Sequence, residues 1–270
     1  RVLFRKKLQR SQVATFFAKL PPCTVAMEAC GSAHHWGRKL SQLGHSVRLI
    51  APQYVKPYVK SQKNDAADAA AICEAASRPH MRFVALKSCE QQSQMALHTV
   101  RSGLVKQRTA LSNQIRGLLA EFGLVLPKGL SRLRQQLPVL LQDPGNDLTP
   151  VMRQLLTLLE QQLHQLDEPI GLLERQIRQR ARRDEPSVRL QQIPGVGPIT
   201  ASALAASVGD ARQFQDGRQM AAWLGLVPRQ HSSGGKTVLL GITKRGDKYL
   251  RTLLIHGARA ALQGWRRHPD

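Results

Sequence analysis

The chain has 270 residues and carries 40 lysines and arginines against 18 aspartates and glutamates, for a formal net charge of +22 at pH 7. So large a basic excess favours a polyanionic partner, DNA or RNA, over an uncharged ligand. No apolar run approaches the ~18 to 20 residues of a membrane span and no signal peptide is visible, which argues against a membrane protein. The four cysteines stand apart without a C-x-x-C pair, which predicts free thiols rather than a disulfide framework or a zinc site.

Residues 1–86 alternate strand-like and helix-like segments, a pattern typical of an α/β layer architecture. The stretch "CTVAMEA" is apolar up to Glu28, so this carboxylate is expected at the end of a buried strand, where a charge is rarely placed without a partner. Asp65 and Asp68 open an alanine-rich helix, where acidic side chains suit the positive end of the helix dipole. The predicted strands are 1–8, 23–29, 45–51 and 81–86, and the predicted helices are 11–20, 32–44 and 65–76.

Residues 87–185 are predicted to form a long helical arm. Between residues 97 and 122 apolar residues fall mostly at steps of three, four or seven. Arg101, Arg108 and Arg116 accompany them and are expected to form an exposed basic surface that contacts RNA or DNA. A connection punctuated by Pro and Gly follows, and a second apolar run at alternating steps of three and four spans residues 156–177. Pro169 should kink or split that helix. Two interpretations fit: the two helices pack against each other, or the run packs against a second copy.

Residues 186–270 are predicted to form a small, mainly α-helical domain. It begins with "LQQIPGVGPITASALAASVGD", which has the form of a helix-hairpin-helix. Gly195 and Gly197 would permit a tight turn and close backbone approach, and the free amides of the next helix would contact a phosphate. A simple packing turn is the alternative.

A glycine-rich turn, "HSSGGK", follows in the same domain and contains Ser232 and Ser233. Serine beside glycine is common in inert loops, so the turn alone does not distinguish a nucleophile from a surface serine. The cations expected to contact nucleic acid around it are Arg229, Lys236, Lys244, Arg245, Lys248 and Arg251.

Four motifs, "VAMEACGSAHHW", "KNDAADAAAI", "IPGVGPITA" and "HSSGGK...GITKRGDKYLR", occur in this order on either side of the helical arm. Together they resemble the insertion-sequence 110 family of transposases, with the closest match to its 1111-type branch. The resemblance covers essentially the whole chain. It implies an RNase H-like (RuvC-like) N-terminal domain whose Asp-Glu-Asp-Asp set binds Mg²⁺, a C-terminal domain with a nucleophilic serine, and guidance by a structured bridge RNA.

Carried onto this sequence, the resemblance assigns Glu28, Asp65 and Asp68 as catalytic Mg²⁺ ligands and Ser233 as the nucleophile, with Ser232 as the adjacent alternative. Residues three apart on a helix share a face, so the two aspartates could approach a strand-end glutamate. The implied domains are a RuvC-like nuclease domain at 1–86, the helical arm at 87–185, and the transposase domain at 186–270.

The family's first aspartate lies in a "G-x-D" context that this sequence lacks, and the sequence stops at "WRRHPD", earlier than relatives usually do. An N-terminally truncated nuclease domain is therefore expected. The favoured hypothesis is a bacterial, cytoplasmic, nucleoid-associated DNA transposase that acts as a homo-oligomer, a dimer or a tetramer, with a bridge RNA. The alternatives are a metal-dependent junction nuclease in which the serine turn only binds phosphate, and a nucleic-acid-binding remnant without catalysis.

Overall fold

The structure is a computed structural model that describes residues 4–59 and 64–267, the last of them by its backbone alone. The chain divides into two compact units, Arg1–Gln92 and Ser93–Asp270. Among the described residues, no helix combines the length and the apolar composition that crossing a bilayer requires.

The first unit is built on a three-stranded sheet. Strands β1 (Thr24–Glu28) and β2 (Ser46–Ile50) pair in parallel, and β3 (Phe83–Val84) pairs antiparallel with β2 at the other edge. Parallel neighbours require a crossover connection, and helix α2 (Ala33–Gln42) supplies it. The predicted alternation of strand and helix is confirmed for these elements.

The described residues of this unit also form the α-helices α1 (Val13–Ala18), α3 (Pro52–Val55) and α4 (Asp65–Ala76), with short 3₁₀ helices at Arg10–Gln12 and Lys56–Tyr58. Helix α4 begins and ends where the sequence predicts. Its start is fixed by Asn64, whose side chain accepts a hydrogen bond from the amide of Ala67 (2.8 Å) and caps the first turn. Its buried alanines, Ala71 and Ala75, pack with Ile50 and Val55.

The strand predicted at 1–8 is wrong for residues 4–8, which form no regular structure, and residues 1–3 lie outside the described part. The ring of Phe4 instead contacts the ring of Phe16 edge-on, with 6.1 Å between centroids. The segment therefore lies against α1 rather than in the sheet.

The second unit contains four long helices in succession: α5 (Cys89–Ala120, which starts in the first unit), α6 (Leu130–Gln142), α7 (Pro150–Gln165) and α8 (Asp167–Arg183). Ion pairs join Arg101 of α5 to Glu174 of α8 and Arg108 of α5 to Asp167 of α8. The later residue of α5 pairs with the earlier residue of α8, so the two helices run antiparallel. This confirms the expected antiparallel pair. The segment between the two predicted helices was expected to be an irregular connection, and this prediction is wrong because it contains helix α6. Leu133 and Leu137, one turn apart in α6, are fully buried in spite of the neighbouring prolines and glycine.

The apolar run of α7 and α8 is buried within this chain. Leu156, Leu163, Ile170 and Ile177, spaced seven apart, are at most 3% exposed. The first two share a core with Ile115 and Leu119 of α5 and with the buried leucines of α6. Packing within the chain is therefore the interpretation that the structure confirms. The helix is split at Leu166, three residues before Pro169, as expected of a residue that cannot donate the helical hydrogen bond.

The rest of the second unit comprises helices α9 (Glu185–Leu190), α10 (Pro198–Val208), α11 (Gly217–Leu224) and α12 (Lys248–Arg267), with a hairpin of β4 (Pro228–Gln230) and β5 (Leu239–Ile242). Helix α10 is the central element, because seven of its eleven residues are buried and it packs against α8, α9 and α12. The expected arm and the expected C-terminal domain thus belong to one compact unit, and their division at residue 185 stays a prediction.

Candidate active site and nucleic-acid interface

The three acidic candidates lie on two neighbouring elements of the first unit. Glu28 is the last residue of β1, in register with Ile50, and its side chain is half-buried. Asp65 and Asp68 occupy the first turn of α4, which packs against β1. Asp65 is exposed and Asp68 is half-buried, one turn before the buried Ala71.

Carboxylate oxygens are the donors that Mg²⁺ prefers, so the type of residue fits the ion. The geometry is less complete. Across residues 4–59 and 64–267, the structure contains no group of three or more His, Cys, Asp or Glu side chains placed to share a metal ion. The assignment of Glu28, Asp65 and Asp68 as metal ligands therefore stays a prediction.

The serine turn is the tip of the β4–β5 hairpin, and residues 228–242 are called the serine hairpin below. Gly234 and Gly235 have φ angles of +55° and +76°, and the amide of Lys236 donates to the carbonyl of Ser233 (3.0 Å). Two positive φ angles in sequence define a type I′ turn, which glycine adopts without steric cost and whose twist matches that of the flanking strands. Ser233 thus occupies the position directly before a tight, defined turn.

The two serines differ in their hydrogen bonds. The Oγ of Ser232 accepts from the side-chain amide of Gln230 (2.9 Å) and from the backbone amide of Val238 (3.4 Å). The Oγ of Ser233 has no hydrogen-bond partner among the described residues, and the side chain is exposed. Ser232 is exposed as well, so the choice of Ser233 as the nucleophile stays a prediction.

Hydrogen bonds connect the base of the serine hairpin to the end of α11 and the start of α12. The amide of Lys244 donates to the carbonyl of Gly225 (3.0 Å) and that of Thr243 to the carbonyl of Val227 (2.9 Å). Arg251, in the first turn of α12, donates from Nη1 to the carbonyls of Leu224 and Gly246, both at 3.0 Å. These bonds join the chain entering the hairpin to the chain leaving it.

The expectation that Arg251 faces nucleic acid is wrong. Its side chain is buried, with 8% of the residue exposed, and the observed bonds of its guanidinium go to backbone carbonyls. A helix end leaves carbonyls unpaired, and Arg251 satisfies the one at the end of α11. Its role in this structure is to fix the hairpin's base.

The other cations of this region are exposed, as predicted: Arg229, Lys236, Lys244, Arg245 and Lys248. Asp247 is the only acidic residue between Gly217 and Arg267. Its carboxylate accepts from the amides of Tyr249 (2.7 Å) and Leu250 (3.0 Å), which caps α12. The serine hairpin and the start of α12 therefore carry an excess of exposed positive charge suited to phosphate groups.

The prediction that Arg101, Arg108 and Arg116 form an exposed basic surface is wrong. Arg101 bonds Glu174 (2.6 Å) and Arg108 bonds Asp167 (3.2 Å) across the helix pair. Arg116 donates to the hydroxyl of Ser112 (2.6 Å) and to a carbonyl of the α5–α6 connection (2.6 Å, at Gly129). All three guanidinium groups stabilise helix packing. The helical periodicity correctly predicted that these arginines flank the apolar stripe of α5. It did not predict the acidic and backbone groups to which they bind.

Asp167 is the acidic centre of that packing, since it also pairs with Arg134 of α6. Burial by itself raises the pKa of Asp167, but the hydrogen bonds and charges of Arg134 and Arg108 outweigh burial and hold the pKa below its ordinary value.

The glycine turn between α9 and α10 is shaped by packing at one of its two glycines. Gly195 has a φ of +84°, and a Cβ built on it would lie 2.5 Å from the carbonyl oxygen of Gly257 in α12. The close contact between the two backbones explains Gly195 without a ligand. Gly197 is the N-cap of α10 and has no such neighbour, and phosphate contact at this turn stays a prediction.

A buried polar network that sequence reasoning missed centres on His98 of α5. Its Nε2 is 3.0 Å from the hydroxyl of Ser202 in α10, and its Nδ1 is 3.2 Å from the hydroxyl of Tyr249 in α12. Burial, with a smaller contribution from the charge of Arg101, lowers the pKa of His98 to about 4. A single histidine in a helical stripe offers no signal that would reveal such partners.

Comparisons with known proteins identify similarity to transposases over both parts of the chain. A family model described as "Transposase IS116/IS110/IS902 family" matches residues 187–269, and a model described as "Transposase", for the DEDD domain of IS110 elements, matches residues 4–123. The probable family 20 transposase of Pseudomonas aeruginosa is 58% identical over 97% of this chain and 78% of its own length. The transposase for insertion sequence element IS1111A of Coxiella burnetii is 50% identical over 100% of this chain and 74% of its own. The transposase for element IS1328 of Yersinia enterocolitica is 47% identical over 97% and 77%, respectively.

Proposed function

This chain belongs to the IS116/IS110/IS902 family of insertion-sequence transposases, and on that premise we propose that it cuts and rejoins DNA through a transient phosphoserine at Ser233. The observation that carries the proposal is the contrast between the two serines of the hairpin. Both side chains are exposed, but the oxygen of Ser232 accepts two hydrogen bonds within the hairpin, whereas the hydroxyl of Ser233 has no partner among the described residues. A covalent phosphoserine conserves the energy of the phosphodiester bond, so rejoining needs no ATP.

The exposed cations of the serine hairpin and of the segment that follows it bind the DNA backbone. Lys236 is the cross-strand neighbour of Ser233, and Arg229, Lys244, Arg245 and Lys248 extend the positive surface. Because these are phosphate contacts, they position the DNA without reading its sequence. The amides at the start of α10, after Gly197, add a phosphate contact of the helix-hairpin-helix type.

The N-terminal part is a DEDD transposase domain with the RuvC-like fold, and such domains typically use a divalent metal ion. Glu28, Asp65 and Asp68 are the proposed ligands, and Mg²⁺ is the proposed ion because all three supply hard oxygen donors. When bound, Mg²⁺ polarises the scissile phosphate and stabilises its developing negative charge. The closeness of α4 to β1 supports this proposal.

A bridge RNA and a second subunit complete the proposed complex. Base pairing to a guide selects the DNA, so the protein need not encode the target sequence. The net charge of +22 suits a chain that contacts two nucleic acids at once. Exchange of strands requires at least two cleavage sites, which a dimer or tetramer provides.

The test is to trap the covalent adduct. Protein, Mg²⁺, DNA that carries the ends of the element and RNA transcribed from its flank are incubated, and the products are separated under denaturing conditions. Ser233→Ala should abolish the DNA–protein adduct, and Ser232→Ala should retain it. If Ser233→Ala still cuts the DNA, the protein is a metal-dependent junction nuclease and the serine proposal fails.

A further inference from the structure

The serine hairpin has two faces with different chemistry. Successive side chains of a strand point to opposite faces, so residues two apart share one. The hydrogen bond from Gln230 to Ser232 (2.9 Å) shows that these two side chains lie on one face. Strand β4 ends at Gln230, and continuing its alternation through the bridge at Ser233 places His231 and Ser233 together on the other face.

Strand pairing adds Lys236 to the face of His231 and Ser233. Ser233 is the bridge partner of Lys236, the amide of His231 donates to the carbonyl of Val238 (2.9 Å), and Gln230 is in register with Leu239. These pairs follow one continuous register, and residues directly opposite each other project to the same face. A nucleophile, an imidazole and an ammonium group thus share one exposed surface.

The distances allow the imidazole to reach the serine. Two residues along a strand separate Cβ atoms by about 7 Å, a gap that a histidine ring and a serine hydroxyl close by rotation of their side chains. Both side chains are exposed, so neither is confined by packing. Catalytic hydrogen bonds commonly tighten only when substrate is bound.

The serine hairpin itself contains one side chain that can act as a base. Serine hydroxyls need a base to become nucleophilic. His231 is the only histidine, aspartate or glutamate in residues 228–242, and Asp247, the nearest acid in the sequence, already caps α12. Lysine and arginine are protonated near neutral pH and cannot accept the proton.

We propose that His231 is the general base and acid for Ser233, an inference that rests on the proposed phosphoserine mechanism. In the cutting step the Oγ–H bond of Ser233 breaks, the proton passes to the neutral imidazole, and Oγ forms a bond to phosphorus. The bond from phosphorus to the leaving deoxyribose oxygen breaks, and water supplies the proton which that oxygen takes up.

Rejoining reverses these transfers. A DNA hydroxyl attacks the phosphoserine and releases its proton to water, while the imidazolium of His231 returns a proton to Oγ as the Oγ–P bond breaks. Lys236, directly opposite Ser233, lies where its charge can offset the charge that develops on the phosphate.

The experiment compares the rate of adduct formation with DNA affinity, in the complete complex with RNA and Mg²⁺. General acid–base catalysis contributes ~10²- to 10⁴-fold, so His231→Ala should slow adduct formation by about 100-fold or more at an unchanged Kd. Free imidazole should restore much of the rate. The matched control is Thr237→Ala, an exposed residue on the opposite face, which should react at the wild-type rate.

Wild-type adduct formation by His231→Ala would overturn the inference, while the loss of the adduct in Ser233→Ala would leave the proposed function intact. A slow His231→Ala variant that imidazole does not rescue, combined with normal rates in His231→Gln, would assign the residue a positioning role and also overturn it. An adduct that persists in Ser233→Ala would overturn the proposed function and this inference with it.

Discussion

Arg251 belongs to a run of cations in the sequence, yet the structure buries it, and its Nη1 donates to three backbone carbonyls. Arg245, six residues earlier, is exposed. A count of basic residues does not separate these two roles, because the difference lies in which carbonyls the fold leaves unpaired nearby. The structure therefore predicts opposite consequences for the same substitution at the two positions.

Arg251→Met should destabilise the second unit, because it leaves the carbonyls of Leu224 and Gly246 without their donor. The expected loss is about 2 to 4 kcal/mol in the free energy of unfolding, from one buried and one part-buried acceptor left unpaired. Arg245→Met should change it by less than about 0.5 kcal/mol. Urea titration followed by circular dichroism measures both, and equal effects would show that Arg251 does not fasten the hairpin.

His98 makes stability depend on pH. Its pKa is about 4 in the folded protein against an ordinary 6.5, so the unfolded state binds more protons between these values. The free energy of unfolding should therefore fall as pH is lowered from about 6.5 to 4, by up to about 3 kcal/mol.

Urea titrations at pH 7 and pH 4.5 check this prediction. His98→Gln should reduce the loss of stability between the two pH values, whereas His164→Gln, at an exposed position of α7, should retain it. An identical loss in wild type and His98→Gln would contradict the assignment.

At the scale of helices, the antiparallel packing of α5 against α7 and α8 accounts for the heptad-like spacing. Every seventh residue from Leu156 to Ile177 is buried, and Leu156 and Leu163 pack in one core with α5 and α6. Ion pairs at Glu174 and Asp167 border the same helix pair. The seven-residue spacing of these apolar residues is therefore explained by packing within one chain.

Leu163→Ala should therefore cost about 2 to 5 kcal/mol of unfolding free energy, since it opens a cavity in this core. Leu158 lies on the same helix but is 50% exposed, and its substitution by alanine should cost well under half as much. Chemical denaturation of the two variants compares them directly. Equal losses would mean that the exposed side of α7 is also packed, for instance against a second copy.

Periodicity was sufficient to predict most elements, including α4 to the residue and the antiparallel helix pair. It failed where local composition opposed tertiary packing: prolines and a glycine hid α6, whose Leu133 and Leu137 are fully buried. It also predicted a strand at residues 4–8, which contact α1 instead. The candidate catalytic residues could be assigned only from the family motifs. Contacts such as those between Arg251 and its carbonyl partners could not be predicted from the sequence, because the fold alone brings these groups together.

At the scale of the whole molecule, the excess of positive charge should appear as a steep salt dependence of nucleic-acid binding. Replacing Lys236, Lys244 and Arg245 by glutamine should weaken binding to all sequences and reduce the slope of log K against log salt by about 2 to 3, because each cation that neutralises a phosphate adds about one to that slope. Arg101→Gln should leave the slope unchanged, because that side chain is paired with Glu174. Filter binding over a salt series measures both, and an unchanged slope in the triple variant would place the DNA elsewhere.

The most direct test of the phosphoserine mechanism is to identify the residue that carries the DNA. The trapped adduct is digested with nuclease and protease, and the peptide that retains a nucleotide is sequenced by mass spectrometry. The mechanism predicts a single modified residue, Ser233, linked through its Oγ to a nucleotide phosphate. A nucleotide on Ser232 or on any other side chain, or complete DNA cutting and rejoining without a covalent adduct, would contradict it.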